Sequence, residues 1–169
     1  VIAGSTCTIV GPITFTNNTT YDLFVTNATT DESAVINISD ATIPVKAMAD
    51  NGGKLIMTNC TVTGTLEISD SGNGFFEGSG NTYSAVVWGN DADLDDTGSD
   101  YSGTLTDDID AVGVFEDCTF TPEVYLRNIT ATDCVFDSLG LGLGGTSALT
   151  RCLVKDWNAH IYGTVTISD

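Results

Sequence analysis

Basic residues are scarce in this chain. Only 5 of its 169 residues are Lys or Arg, whereas 23 are Asp or Glu, so the formal net charge at pH 7 is −18. A surface of this sign repels the phosphate backbone of nucleic acids and the anionic headgroups of membranes. We therefore expect neither nucleic acid nor a membrane among the partners. The acidity also suits a protein that stays soluble in salty surroundings or one that binds cations.

Long apolar runs and targeting signals are missing as well. No stretch approaches the roughly 18 to 20 apolar residues of a membrane span. The start, Val1 to Gly4, lacks the basic residues and apolar run of a signal peptide. We expect a soluble chain without a targeting segment, whose initiator methionine or signal peptide was removed. The hydrophobic content of 41% supports one folded domain over residues 1–169.

Helix signals and cysteine motifs are also few. Glycine and β-branched residues interrupt nearly every stretch, and the best helical candidate, Val45 to Asp50, is barely more than one turn. The five cysteines are an odd number, and their spacing matches no CxxC metal motif. These features favour an all-β protein in which a disulfide framework is not required.

What the chain does contain is an internal repeat. Each cysteine follows a polar residue and precedes a β-forming one, and the same pattern recurs with Tyr or Ala in the cysteine position. The repeat anchors are Cys7, Tyr21, Ala41, Cys60, Tyr83, Tyr101, Cys118, Cys134 and Cys152. Their mean spacing, (152 − 7)/8, is 18.1 residues. This length suits one coil of a solenoid with two or three strands of about five residues.

The residues around the anchors predict which side chains face inward. Strands alternate their side chains, so an anchor and the residue two positions later share the buried face, whereas the preceding polar residue faces out. Phe120 and Phe136 fall in this second buried column. An Ile-Ser-Asp marker at residues 38–40, 68–70 and 167–169 supports the period.

These patterns predict a right-handed parallel β-helix, or β-solenoid, of about nine rungs averaging about 18 residues. The alternative is an antiparallel β-sandwich. Sandwiches need hairpin turns of the Asn-Gly kind, and only Asn51 to Gly53 clearly qualifies.

The repeat resembles that of the right-handed parallel β-helix proteins, which include pectin-degrading enzymes, phage tailspikes and surface adhesins. The resemblance is one of architecture and implies no activity. Polygalacturonase-like members carry Gly-Asp-Asp, Gly-His-Gly and Arg-Ile-Lys elements. This chain has the Asp pairs 95–96 and 107–108, a single histidine in Ala159-His160-Ile161, and no Arg-Ile-Lys.

The lyase-like members of that group rely on Ca²⁺ and an arginine base. Only Arg127 and Arg151 are available for that role. We therefore expect that the chain is not an enzyme, and a polysaccharide-degrading activity is the least favoured function.

The acidic stretch from Asp91 to Gly98 places carboxylates at alternate positions, as hard oxygen ligands of Ca²⁺ would be. With coils of about 18 residues, a second acidic run would lie on the next rung, and a cation would relieve the repulsion. The candidate calcium ligands are Asp91, Asp93, Asp95, Asp107, Asp108 and Asp110. The alternative is a solvated acidic loop. No other cofactor is expected.

Three further patterns concern the surface and the core. Thr-x-Thr pairs are frequent, as in β-solenoid ice-binding proteins, but charges and Pro44 interrupt the face that follows the anchors, so β-propensity explains them better. Cys118, Cys134 and Cys152 fall on successive rungs, which predicts a ladder of buried free thiols rather than disulfides. The alternating run that starts at Leu139 predicts a strand with leucines inward and glycines outward.

Together these features predict a stiff, non-catalytic building block or surface decoration of a larger assembly, with a phage-type virion as the setting. The expected partners are proteins or copies of the chain itself, and the expected location is the virion or an extracellular surface. We expect the terminal coil, or the face carrying residues 139–145, to be buried against another chain, because an uncapped rung leaves backbone groups unpaired. The alternative is a ligand-binding surface module, either ice-binding or a calcium-dependent adhesin.

Overall fold

The structure, a computed structural model, describes residues 6–14, 23–26, 34–44, 46–50, 52–68, 74–89, 92–107, 112–141, 145–158 and 163–169. This part of the chain is all β. Its strands are β1 (Thr6–Thr14), β2 (Leu23–Thr26), β3 (Val35–Ile43), β4 (Ala47–Asp50), β5 (Lys54–Thr58), β6 (Thr61–Val62), β7 (Leu66–Ile68), β8 (Phe75–Ser79), β9 (Thr82–Trp88), β10 (Asp93–Thr97), β11 (Asp100–Asp107), β12 (Val112–Glu116), β13 (Thr119–Leu126), β14 (Ile129–Thr132), β15 (Val135–Leu141), β16 (Gly145–Thr150), β17 (Leu153–Val154) and β18 (Gly163–Ser168).

Every strand pair recorded in the described residues is parallel, and each strand pairs with its equivalent in the neighbouring coil. One ladder runs β1, β3, β5, β8, β10, β12, β14, β16 and β18. A second runs through β3, β6, β9, β11, β13, β15 and β17. Parallel pairing between successive coils is the defining feature of a β-solenoid. The predicted fold class is confirmed, and the antiparallel sandwich is excluded.

The number of turns is smaller than predicted. The second ladder aligns Ala41, Cys60, Asn81, Ser99, Cys118, Cys134 and Cys152 in one inward column. Its six intervals are 19, 21, 18, 19, 16 and 18 residues long. The column therefore spans six complete turns, with partial coils on either side, instead of about nine equal rungs. We call these seven residues the cysteine column.

Three of the predicted anchors were wrong. Tyr83 and Tyr101 lie two residues past the cysteine column, in the column of Phe120 and Phe136. Cys7 belongs to the first ladder, where it pairs with Ile36. The anchor at position 21 lies outside the described residues. The error at the two tyrosines has a simple cause, because a tyrosine flanked by polar residues has the same sequence pattern as a buried cysteine that follows a corner.

A left-handed backbone residue precedes the cysteine column in each of these coils. The residues are Asp40, Asn59, Gly80, Gly98, Asp117, Asp133 and Arg151, with φ angles between 51° and 65°. Asp, Asn and Gly tolerate this region better than other residues do. The corner amide then donates to a carbonyl of the next coil, as Asp117 does to Thr132 at 3.0 Å. The polar residue before each anchor is therefore a corner that turns the chain.

Aromatic rings fill the middle of the solenoid. The rings of Phe120 and Phe136 are stacked with centroids 4.5 Å apart, and Tyr101 stacks on the other face of Phe120 at 4.5 Å. Both phenylalanines are 0% exposed, as predicted. The segment Ala47–Asp50, part of the helical candidate, is strand β4 instead, because its alternating burial places alanines in the core.

The leucine–glycine run is a strand up to Leu141, and Leu139 and Leu141 face the core as predicted. Gly140 faces outward under the ring of Tyr125, where an added Cβ would lie 2.5 Å from Cδ1 of that ring. The close approach at this glycine therefore comes from the same chain. Residues 142–144 lie outside the described part.

Candidate functional site

The structure separates the predicted calcium ligands that it describes. Asp93 and Asp95 are exposed on β10, where Asp95 is in register with Glu77 on β8 and with Val114 on β12. Asp107 ends β11 and is in register with Trp88. Asp107 therefore lies on the same coil as Asp93 and Asp95 and not on the next rung.

The other predicted ligands at positions 91, 108 and 110 lie outside the described residues. Within the described ranges, no three His, Cys, Asp or Glu side chains come together as a metal-binding group. The calcium site remains a prediction.

The same acidic stretch contains a residue that sequence reasoning left on the surface. Asp96 follows Asp95 on β10, so alternation turns its side chain inward, and it is 0% exposed. The residue opposite is Gly78 on β8. An added Cβ at Gly78 would lie 2.2 Å from Oδ1 of Asp96. The glycine therefore provides the space for a carboxyl group in the core.

Two hydroxyl groups hold the carboxyl group of Asp96. Ser99 Oγ donates to Oδ1 at 2.7 Å, and Tyr101 Oη donates to Oδ2 at 2.6 Å. Hydrogen bonds from a hydroxyl to a carboxylate are short and stronger than those between neutral groups. Both donors come from the corner and strand that follow Asp96, so one coil supplies the acid and its partners.

The network continues through Asn81, which takes the place of a cysteine in the cysteine column. Asn81 Nδ2 donates to Tyr83 Oη at 2.8 Å and to the carbonyl of Met57 at 3.1 Å. Its Oδ1 accepts from the amide of Cys60 at 2.8 Å, and its own amide donates to Ser99 Oγ at 2.9 Å. No buried side-chain N or O atom among the described residues lacks a hydrogen-bond partner. We call Asn81, Tyr83, Asp96, Ser99 and Tyr101 the buried polar cluster.

Burial controls the protonation of this cluster. It raises the pKa of Asp96 to about 6, although hydrogen bonds from Tyr101, Ser99 and Tyr83 act in the opposite direction. Burial, together with the charge of Asp96, raises the pKa values of Tyr83 and Tyr101 well above their ordinary value. The carboxyl group of Asp96 therefore exchanges its proton at about pH 6, where the two tyrosines stay neutral. Because Asp96 is inaccessible, a substrate reaches it only if the coils separate.

The thiols form the ladder that the sequence predicts. Cys118 and Cys134 are buried, Cys152 is partly buried, and all three are free. The Sγ of Cys118 lies 3.4 Å from the carbonyl oxygen of Asp96 and the Sγ of Cys152 lies 3.3 Å from that of Ala131. The hydrogen bond with Cys134 and burial raise the pKa of Cys118, and burial raises that of Cys152. Their raised pKa values make the thiols of Cys118 and Cys152 weak nucleophiles at neutral pH.

The few basic residues join neighbouring coils. Lys54 contacts Glu77, and Lys46 contacts Glu67. Arg151 Nε donates to Asp133 Oδ1 at 2.7 Å, and Lys155 Nζ to Asp137 Oδ1 at 2.6 Å. Lys46, Lys54, Arg151 and Lys155 thus each pair with an acid one coil away.

The core is exposed at the coil that contains β18. Ile167 lies in register with the buried Leu149 but is itself 65% exposed. Trp157 bridges to the buried Leu139 and is 38% exposed. Val154 and Val165 are partly buried beside them. We call Val154, Trp157, Val165 and Ile167 the open coil end.

A threonine-rich surface covers the outside of the same coils. Thr132 is in register with Thr150, and Thr146 with Thr164. The full set, called the threonine face below, is Thr130, Thr132, Thr146, Thr150, Thr164 and Thr166. These residues belong to the strands before the corners, whereas sequence reasoning considered the strands after them.

Comparison with known proteins adds no relative. No family model, no curated protein and no solved structure matches this chain. In the part of the chain that the structure describes, no helix is long and apolar enough to cross a bilayer.

Proposed function

We propose that this chain is a non-catalytic structural protein that forms a building block or surface decoration of a larger assembly. The open coil end is the single observation that carries the proposal. The residues in register with these side chains in the preceding coil are buried, yet Ile167 is 65% exposed. Apolar surface of this kind, next to a strand edge, is a surface on which further polypeptide can pack.

Links between the coils support a structural role. Backbone hydrogen bonds at the corners and ion pairs on the surface connect each coil to its neighbour. In a stack of this kind each coil contacts only the coils before and after it, so these links join the coils into one continuous unit. The net charge of −18 favours protein partners over nucleic acid. The phage-type virion is proposed as the setting because the architecture resembles that of tailspikes.

Two substitutions on one strand test this function. Ile167→Lys places a charge on the open coil end, whereas Thr166→Lys places the same charge on the outer face of β18. We expect Ile167→Lys to reduce incorporation into the native assembly at least tenfold and Thr166→Lys to leave it unchanged. Both isolated variants should melt near the wild-type temperature, because both positions are exposed. Equal incorporation of Ile167→Lys and wild type would refute the proposal.

The threonine face favours a second candidate function, a water-ordering surface of the ice-binding type. Its rows lie on neighbouring parallel strands, which are about 4.8 Å apart. Thermal hysteresis of the purified chain tests it. The second function predicts hysteresis that Thr164→Lys abolishes and that Thr121→Lys, an exposed threonine on β13, leaves intact. Wild-type protein without hysteresis would eliminate this candidate.

A further inference from the structure

Thiols occupy three successive coils of the cysteine column, at Cys118, Cys134 and Cys152. The amide of Val135 donates to the carbonyl of Cys118 at 2.9 Å, and the amide of Leu153 donates to the carbonyl of Cys134 at 2.9 Å. Equivalent positions on neighbouring parallel strands lie about 4.8 Å apart. A disulfide spans Cα separations of about 4.4 to 6.8 Å. The backbone therefore brings adjacent thiols of this ladder within the range of a covalent bond.

The thiol of Cys134 differs from the others in what it faces. The Sγ atoms of Cys60 and Cys152 lie 3.7 and 3.3 Å from carbonyl oxygens of the preceding coil. Towards the preceding coil, the thiol of Cys134 forms a hydrogen bond with the thiol of Cys118. This hydrogen bond lowers the pKa of Cys134, although burial acts in the opposite direction. Cys134 therefore ionises more readily than Cys118 and is the nucleophile of the pair.

We infer that Cys118 and Cys134 form a redox-sensitive staple, a reversible disulfide that links two neighbouring coils when hydrogen peroxide is present. The Cys134 thiolate attacks the peroxide, so that an S–O bond forms, the O–O bond breaks and hydroxide leaves. The sulfur of Cys118 then attacks the resulting sulfenic acid, so that the S–S bond forms and the S–O bond breaks. In total the two thiols lose two electrons and two protons, and one hydrogen peroxide becomes two waters.

Burial and register limit which disulfides can form. Cys118 and Cys134 are each 1% exposed, so peroxide reaches them only when the coils separate transiently. Cys60 is three coils from Cys118 in the same column. Cys118 and Cys152 are two coils apart, about 9.6 Å, which exceeds the reach of a disulfide. The staple does not involve the open coil end, so it is independent of the assembly proposed above.

Peptide mapping of the oxidised chain identifies the staple. Trypsin cuts after lysine and arginine, so Cys118 falls in fragment 55–127 and Cys134 in fragment 128–151. After hydrogen peroxide treatment of the folded protein, a non-reducing map should show these two fragments joined. Cys118→Ala should abolish the joined pair. Cys60→Ala, which removes the other thiol of the same fragment, should leave it intact. A wild-type map without the joined pair, or a pair that is lost in Cys60→Ala, overturns the inference.

Thermal melting tests whether the disulfide stabilises the solenoid. The two cysteines are 16 residues apart, and a disulfide that closes a loop of this length restricts the unfolded chain. The oxidised wild type should therefore melt roughly 5 to 10 °C above the reduced protein. Dithiothreitol should reverse this shift, and Cys118→Ala should not show it. Oxidised protein that contains the joined fragments but melts at or below the temperature of the reduced protein contradicts the staple.

Discussion

At the residue scale, Asp96 links the stability of the protein to pH. Burial raises its pKa from 3.8 to about 6, so the folded state favours the neutral acid. The stability that the protonated Asp96 contributes is fully present below its pKa in the unfolded state. It is lost as the pH rises through its pKa in the folded state. The groups that face Asp96 are Tyr83, Tyr101 and Cys118, whose pKa values are all raised. They stay neutral over this range.

Asp96→Asn should remove this pH dependence. A rise in the pKa of Asp96 from 3.8 to about 6 corresponds to roughly 3 kcal/mol of unfolding free energy. The unfolding free energy of the variant minus that of the wild type should therefore rise by about 3 kcal/mol as the pH increases from about 4 to about 7. Denaturant melts of both proteins at several pH values measure the difference. A difference that does not change with pH would show that the carboxyl group is not buried in the folded protein.

The stacked phenylalanines should dominate the stability of the core. Phe120→Ala and Phe136→Ala should each lower the unfolding free energy by about 3 to 5 kcal/mol, because each leaves a cavity in a fully buried ring stack. Val112→Ala, on the exposed face of β12, should cost less than about 0.5 kcal/mol. Urea melts give all three values. A phenylalanine variant whose unfolding free energy is close to that of the wild type would show that the strand register assigned here is wrong.

At the element scale, the corner before each cysteine-column residue sets the length of the coil. The corners adopt left-handed backbone angles, and two of them are glycines, Gly80 and Gly98. Sequence reasoning recognised the polar corners but not the glycine ones, so it shifted two anchors onto Tyr83 and Tyr101. The missed signal was a glycine directly before a buried small polar residue. It occurs in the sequences Gly80-Asn81-Thr82 and Gly98-Ser99-Asp100.

Gly98 allows the backbone effect to be measured alone. No atom lies within 4 Å of an added Cβ at this position, and its φ is +65°. Gly98→Ala should cost about 1 to 2 kcal/mol through the left-handed conformation only, and Gly98→Asn should cost less. Thermal or urea melts compare the two variants. An alanine variant as stable as the wild type would contradict the corner assignment.

Much of each element was predictable, because alternation and the repeat depend on local sequence. The cysteine positions at 60, 118, 134 and 152 and the burial of Phe120 and Phe136 followed from that pattern. The site was harder to predict. Asp96 lies in an acidic stretch whose other described members, Asp93 and Asp95, face solvent. Its burial depends on Gly78 in the neighbouring coil, and sequence alone did not give the register that brings the two together.

At the scale of the whole molecule, we propose that stability and assembly depend on different surfaces. The surface ion pairs between coils each contribute little, since exposed pairs are typically worth about 0 to 1 kcal/mol. The continuous inward columns contribute most, and they remain buried from one coil to the next until the open coil end. Folding therefore depends on the middle of the solenoid, and assembly in our proposal depends on its exposed end.

We propose that another polypeptide covers the open coil end in the functional assembly. Hydrogen–deuterium exchange of the strands tests it most directly, with isolated chain and native assembly compared under the same conditions. The peptide containing β18 should exchange quickly in the isolated chain and slowly in the assembly. The peptide containing β12, which is paired on both sides, should exchange slowly in both. Equally fast exchange of β18 in the two states would contradict the claim.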